Sequence, residues 1–247
     1  MSRTERRLYA PSLPKTGGTV ALSKAPSRHV RVLRLKVGDE VMLFDGRGRE
    51  ATACIQTVDA DAVVCQAEPP RDVEPRRTRL VLMLAVPKGS KIDDCVRMAT
   101  ELGVDEVALM QTERTVPRWD PGRAQSKIDR LTRIASEAAA QSERSDVPFI
   151  HSPEPCQVWL DRVPANTLGV VFGARTDARL DALDEVPEQV WCAIGPEGGF
   201  TDQELEAFRS AGFAVVSLGN LVLRVETAVP AAIALVRDRV ADLLQPR

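Results

Sequence analysis

Two short segments of this sequence hold residue types at spacings suited to ligand chemistry. The first is Ile194-Gly-Pro-Glu-Gly-Gly-Phe200. It follows the apolar run Val190–Ile194 and precedes Thr201-Asp-Gln-Glu204, a helix-capping pattern. A strand, a loop and a helix in that order put the segment outside the carboxyl end of a strand, where open α/β sheets bind ligands. Glycines at 195, 198 and 199 remove side chains, so backbone groups can come close to a ligand; a plain tight turn would use the same glycines. The spacing is not G-x-G-x-x-G, and no G-x-x-x-x-G-K-[ST] occurs, so neither a dinucleotide fingerprint nor a P-loop is supported. The second segment, Leu218-Gly-Asn-Leu-Val-Leu-Arg-Val-Glu-Thr-Ala228, also leaves a strand and enters a helix. Its Arg224 and Glu226 would need partners if buried. They either meet a ligand, pair with each other or bond to backbone.

Metal and disulfide chemistry find little support. The five cysteines lie at 54, 65, 95, 156 and 192 with no C-x-x-C pair, and there are two histidines, His29 and His151. No metal site is expected. Reduced thiols point to the cytoplasm.

The elements that must position these loops alternate along the chain. From Arg79 onward, Leu80–Val86, Val104–Met110, Leu168–Phe172, Val190–Ile194 and Ala214–Leu218 read as strands. Between them, Ser90 with Asp93 predicts a capped helix whose apolar stripe is Ile92, Cys95, Val96, Ala99 and Leu102, ended by Gly103. Ala124–Ser142 predicts a long helix, and Thr201 opens one running to Ala211. Thr227 opens the last, through about Leu244, with Pro230 in its first turn. Strands separated by helices predict a parallel α/β sheet. Earlier in the chain, Val30–Leu33, Glu40–Phe44, Arg49–Val58 and Ala62–Ala67 predict a small β barrel with turns at Gly38 and Gly46. The proline- and charge-rich stretch from Glu68 to Arg77 marks the boundary. The expected domains are residues 1–72 and 78–247.

Composition agrees with a folded globular chain. Of 247 residues, 44% are hydrophobic and 28% charged. The longest apolar runs are strand-sized, so no membrane partner is expected, and the N-terminus carries no apolar secretory segment. Net charge is −2, unevenly spread. Residues 1–36 hold nine basic side chains against one acid, +8, which leaves −10 on the other 211 residues. A basic end on an acidic body suggests a polyanion, with nucleic acid the foremost candidate and a merely solvated face the alternative. Arg6, Arg7, Arg28, Arg31, Arg34 and Lys36 are the expected contacts, and His29 is expected to be structural or RNA-contacting, not a metal ligand.

Taken together, these segments resemble the RsmE-type 16S ribosomal RNA uracil-N3 methyltransferases of the SPOUT (trefoil-knot) superfamily. The resemblance rests on the GPEGGF loop at 195–200 and the LGxxxLRxETA loop at 218–228. It extends to His29–Asp39 with Leu43-Phe-Asp-Gly46, to Pro87–Asp93 with Ala99–Gly103, and to Glu137–Ser142 with Arg144. It implies an N-terminal PUA-like RNA-binding barrel, a C-terminal α/β domain with a deep trefoil knot, a homodimer, and a role in rRNA processing and ribosome biogenesis. The partner would be 16S rRNA of the small ribosomal subunit, not DNA. S-adenosyl-L-methionine would be held by Phe172, Gly173, Ile194, Gly195, Pro196, Glu197, Gly198, Gly199, Leu218, Gly219, Leu223, Arg224, Thr227 and Ala228. Lys88 and Arg144 join the expected RNA contacts. Leu221 stands where the family often has arginine, and the stretch Val171–Arg175 lacks an acidic residue often found there.

The resemblance also frames the chemistry. Uracil N3 is a poor nucleophile until its proton leaves, so a base or a charge-stabilising cation is needed. Arg224 is the expected cation, with Glu226 orienting it or the donor. The alternatives are an RNA-binding assembly factor without catalysis and a SPOUT enzyme acting at another RNA position.

Overall fold

In the computed structural model, residues 6–59, 62–75, 77–173, 176, 178–180 and 186–240 are described. The chain divides into two compact units: Met1–Pro75 with Ser136–Val147, and Arg76–Ala135 with Pro148–Pro246.

The first unit is built on β1 (Arg7–Tyr9), β2 (Gly18–Leu22), helix α1 (Lys24–Val32), β3 (Glu40–Phe44), β4 (Arg49–Val58), β5 (Val63–Ala67) and β6 (Arg71–Asp72). The strands form one sheet in the order β1-β3-β4-β5-β2, with β6 on β4. Only the β1–β3 pair is parallel. Leu43, Ile55, Val63 and Cys65 are fully buried in its core, with Leu8 and Val30.

One expectation fails here: Val30–Leu33 belongs to a helix and its cap, not to a strand. Only Val30 of that run is buried, while Val32 and Leu33 are 68% and 45% exposed. The buried set Pro26, Ser27 and Val30 has helical spacing. Ser27 holds the helix in place, donating to the Leu22 carbonyl (3.1 Å) and accepting from the Val63 N–H (3.2 Å). The helix ends on a Schellman motif, Leu35 N–H to Val30 O and Arg34 N–H to Arg31 O (both 3.0 Å), with Arg34 at φ +55° instead of the usual glycine.

The second unit contains β7 (Arg79–Ala85), α2 (Lys91–Glu101), β8 (Glu106–Gln111), α3 (Pro121–Gln141, whose residues from Ser136 belong to the first unit), β9 (Phe149–Pro155), α4 (Cys156–Leu160), β10 (Thr167–Phe172), β11 (Gln189–Ile194), α5 (Asp202–Ser210), β12 (Phe213–Val216) and α6 (Val225–Arg239). Its sheet is wholly parallel in the order β12-β10-β11-β7-β8-β9. Val81, Met83, Met110, Val171 and Ala193 face one way and pack with Trp159 of α4 and Phe208 of α5. Helices α2 and α6 pack on each other, and α6 also meets β11.

Two helix starts depart from the sequence reading. Ser90 is the N-cap of α2, but its side chain makes no capping bond; the turn closes through its carbonyl, which accepts from Asp93 N–H at 3.0 Å. Helix α6 begins at Val225, with Arg224 as N-cap, two residues before Thr227. Pro230 therefore lies in the second turn, where its missing N–H removes the bond that would close on the Glu226 carbonyl. The capping box at Thr201 and Glu204 is present as expected. The continuation to Leu244, and Ala174 and Arg175, lie outside the described residues.

Candidate active site

Strand register puts three loops level with one another. Phe172 at the end of β10 pairs with Ile194 of β11 on one side and with Val216 of β12 on the other. The chain leaving these residues surrounds a cleft of about 200 Å³. Phe172 and Gly173 contribute from the first loop, Ile194, Gly195, Pro196, Glu197 and Gly199 from the second, and Ser217–Leu223 from the third, with Val225 and Ala228 of α6. Most of the expected donor residues are thus brought together. Gly198, Arg224 and Thr227 do not line the cleft. Ser217, Asn220, Val222 and Val225 line it without having been singled out, and so does Leu221, noted in the sequence only for standing where the family often has arginine; the signal for these residues was membership of the same loop or, for Ser217, adjacency to it.

The glycines serve partly the protein's own packing. Gly199 closes a turn onto the Pro196 carbonyl (2.8 Å) at φ +70°, and Gly219 stands at φ +111°, both in the region that favours glycine. Gly198 is different: a Cβ there would lie 3.3 Å from the Arg114 side chain, whose guanidinium donates to the Gly198 and Phe200 carbonyls (2.9 and 3.3 Å). Its missing side chain makes room for Arg114, not for a ligand at the cleft.

The charged groups sort in an unexpected way. Arg224 and Glu226 do not pair. Glu226 lies 3.5 Å from Lys91 Nζ, and Lys91 lies 3.6 Å from Glu197 Oε1, so one ammonium joins the GPEGGF loop to the first turn of α6. Sequence reading missed Lys91, which sits in the Pro87–Asp93 segment but carries no pattern tying it to residues more than a hundred positions away. Burial pushes the Glu197 carboxyl up, but its own backbone N–H, that of Lys88 (3.2 Å) and the Lys91 ammonium together hold it below the usual carboxylate value. The buried Glu226 Oε2 has no hydrogen-bond partner. Beneath them the Cys95 thiol is pushed up to about 12, first by burial and then by the Glu226 charge, which leaves it an inert core residue. The Arg224 side chain is exposed and forms no ion pair among the described residues.

The residues expected to meet RNA divide. Arg28, His29, Arg31, Arg34 and Lys36 are all exposed on α1 and the turn after it. Arg6 is exposed and paired with Asp39 (3.3 Å). Arg7 and Arg144, by contrast, are each 7% exposed and correct that expectation. Arg7 donates to Glu50 and to Ser145 (2.7 Å each), and Arg144 pairs with Asp146 (2.5 Å). Lys88 is exposed on the loop that holds Glu197.

Known proteins share this architecture. A family model described as an RNA methyltransferase domain matches residues 74–237, and one described as an RNA methyltransferase PUA domain matches residues 24–68. The ribosomal RNA small subunit methyltransferase E of Synechocystis is 33% identical over 222 residues, 87% of this chain and 72% of the relative. Its namesake in Mycobacterium tuberculosis is 28% identical over 231 residues, 91% of this chain and 88% of the relative. A crystal structure of the Neisseria gonorrhoeae ribosomal RNA small subunit methyltransferase E, bound to S-adenosyl methionine, matches with a TM-score of 0.85 at 28% identity over 95% of this chain and 97% of that one. A Legionella pneumophila methyltransferase in complex with the same cofactor matches with a TM-score of 0.83 at 27% identity, over 96% and 98%. A mixed α/β chain with an N-terminal PUA domain, a C-terminal RNA methyltransferase domain and this similarity along nearly its whole length belongs to the ribosomal RNA small subunit methyltransferase E family.

Proposed function

We propose that this protein transfers a methyl group from S-adenosyl-L-methionine to N3 of a specific uridine in 16S rRNA. The observation that carries the reading is the cleft shared by the loops after β10, β11 and β12, with an exposed arginine between two of its lining residues, Leu223 and Val225. The cleft suits this donor. Phe172, Ile194, Leu218 and Val225 offer apolar surface for a nucleoside, the glycine backbones offer hydrogen-bonding groups, and the Glu197 carboxylate suits a molecule with cationic groups. When bound, the donor supplies an electrophilic methyl carbon on a positively charged sulfur.

The protein's own residues supply orientation and charge. The loops fix the line along which a nitrogen must approach. Arg224, always charged and forked, is free to meet a uracil oxygen and stabilise the negative charge that grows as N3 loses its proton. Glu226 is held by Lys91 and does not neutralise that guanidinium. Residues 1–72 act as the RNA-binding domain through Arg28, His29, Arg31, Arg34 and Lys36, and 78–247 as the methyltransferase domain. The same reading includes a deep trefoil knot, a cytoplasmic setting in ribosome biogenesis and a homodimer. The adjacent Leu221 and Val222, 76% and 81% exposed beside the cleft, support a subunit contact there. Among the described residues no helix is long and apolar enough to cross a membrane.

Labelled donor, incubated with the protein and small subunits from a strain lacking the modification, tests this directly. The expected product is one N3-methyluridine in 16S rRNA. Label on a ribose hydroxyl or another base would replace the substrate assignment, and RNA binding without transfer would favour an assembly factor.

A further inference from the structure

We propose that a second cleft in the methyltransferase unit, walled by Trp119, holds a single-stranded nucleotide of the RNA substrate, its base stacked on the indole and its phosphate on Lys127 and Arg130. The proposal rests on the RNA methyltransferase reading above. The cleft has a volume of about 420 Å³ and lies between the turn after β7, the segment after β8 and the first half of α3. Its floor is apolar and buried, with Val86, Ile92 and Leu131. Trp119 forms a wall and is partly exposed. An indole face beside a cationic rim over an apolar floor is the arrangement that takes an unpaired base, whose π-face stacks whatever its identity.

Charge points the same way. Arg123, Lys127 and Arg130 recur at helical spacing and form one basic stripe on α3. Two nearby acids are engaged elsewhere: Asp120 caps the Gly122 N–H (2.9 Å) and Asp129 accepts from Gln125 (2.8 Å). Arg130 is paired with Asp93, so Lys127 leads the phosphate contact and Arg130 joins it by exchanging that carboxylate. The Lys127 ammonium lies over the Trp119 ring at 4.7 Å from its centroid and forms no ion pair among the described residues. It is therefore available to exchange the ring for a phosphate. Pro87, Gly89 and Ser90 line this cleft, while Lys88, within the same turn, donates its backbone N–H to Glu197 of the donor cleft. One short turn thus borders both clefts, and a strand delivering its uridine to the first would pass the second.

Trp119 also provides the readout, since Trp159 and Trp191 are only 3% and 7% exposed. Oligouridylate and extracted 16S rRNA serve as probes for the full-length protein. Oligouridylate should quench the intrinsic fluorescence of the unmodified protein, and Trp119→Phe should abolish most of that quenching while keeping most of the affinity. Trp119→Ala should weaken RNA binding roughly 5- to 150-fold, the range of one lost base stack. Lys127→Ala should lower the salt slope of binding by about 0.7, as for one single-strand phosphate contact. Donor affinity and thermal midpoint should stay unchanged in Trp119→Phe and Lys127→Ala. If the unmodified protein methylates 16S rRNA yet Trp119→Ala matches its RNA affinity, this proposal is overturned and the function stands. If RNA quenches Trp119 but no methyl transfer occurs, the function reading fails and the cleft assignment survives. Loss of self-association in Trp119→Ala with undiminished RNA affinity would assign the cleft to a second copy and overturn the proposal.

Discussion

Two carboxylate centres, one in each unit, are built to opposite specifications. In the first unit Glu50 is saturated. It accepts from Arg7 and Ser145 at 2.7 Å through one oxygen and from Arg71 at 2.6 and 3.0 Å through the other. Burial pushes its carboxyl up, but those donors bring it down to about 2. In the second unit Glu197 and Glu226 share Lys91 at 3.6 and 3.5 Å, beyond good hydrogen-bond length, and one buried oxygen of Glu226 has no hydrogen-bond partner. A carboxylate whose two oxygens are engaged, as in Glu50, holds a fold together; the under-satisfied pair is the kind of charge the proposed donor site would draw on. Basic residues obey the same division. Arg7 is consumed by structure and Arg224 is left open.

Substitutions should separate the two centres. The largest effect is expected from Arg7→Ala, which leaves Glu50 buried with fewer partners and should cost about 3–5 kcal/mol of stability. Denaturant unfolding would measure it, and the refolded variant should bind RNA with unchanged salt dependence. Arg224→Ala should leave stability untouched and lower the methylation rate by about 10²–10³, the usual cost of one aimed donor. Arg224→Lys should recover only part, because a point charge cannot reproduce the planar fork. Neutralising Arg28, Arg31 and Arg34 together should flatten the salt slope of RNA binding by about two, at roughly 0.7 per single-strand phosphate contact. Lys91→Met should weaken donor binding by no more than about fivefold, since the lysine is partly exposed and its pairs are long.

Acid offers a graded version of the comparison. The Glu50 carboxyl is depressed in the folded state, so its contribution is fully present above its ordinary value of 4.5 and is lost as pH falls toward about 2. Acid titration should therefore destabilise the protein over that interval, and Glu50→Gln should remove much of the pH dependence there at a cost in stability at neutral pH.

Much of this was legible in the residues because local rules and tertiary structure agree. The central strands β7, β8, β10 and β11 are short apolar runs buried along most of their length, and Thr201 with Glu204 caps its helix as the spacing says. Gly103 ends α2 at φ +85°. The cleft after β10, β11 and β12 was legible because its loops are contiguous stretches of glycine-bearing sequence. What escaped depends on partners far away in the chain. The run Val30-Arg-Val-Leu33 alternates like a strand, but Ser27 ties it into a helix through Leu22 and Val63. β9 contains Pro153 and Pro155 and survives because it lies at the sheet edge. Burial of Arg7 depends on Glu50 and Ser145, 43 and 138 positions away. No local pattern announces that. The proposed trefoil knot would likewise be a property of the whole path and leave no periodic trace.

Donor affinity and single-turnover methylation rate, measured together on Arg224→Ala, bear most directly on the claim that the cleft in the second unit is catalytic and that Arg224 acts on the base. Near-normal donor affinity with a rate reduced by about 10²–10³ at saturating donor is the predicted result. A wild-type rate with normal donor affinity would contradict the catalytic role, and a defect fully restored by saturating donor would make Arg224 a binding residue instead.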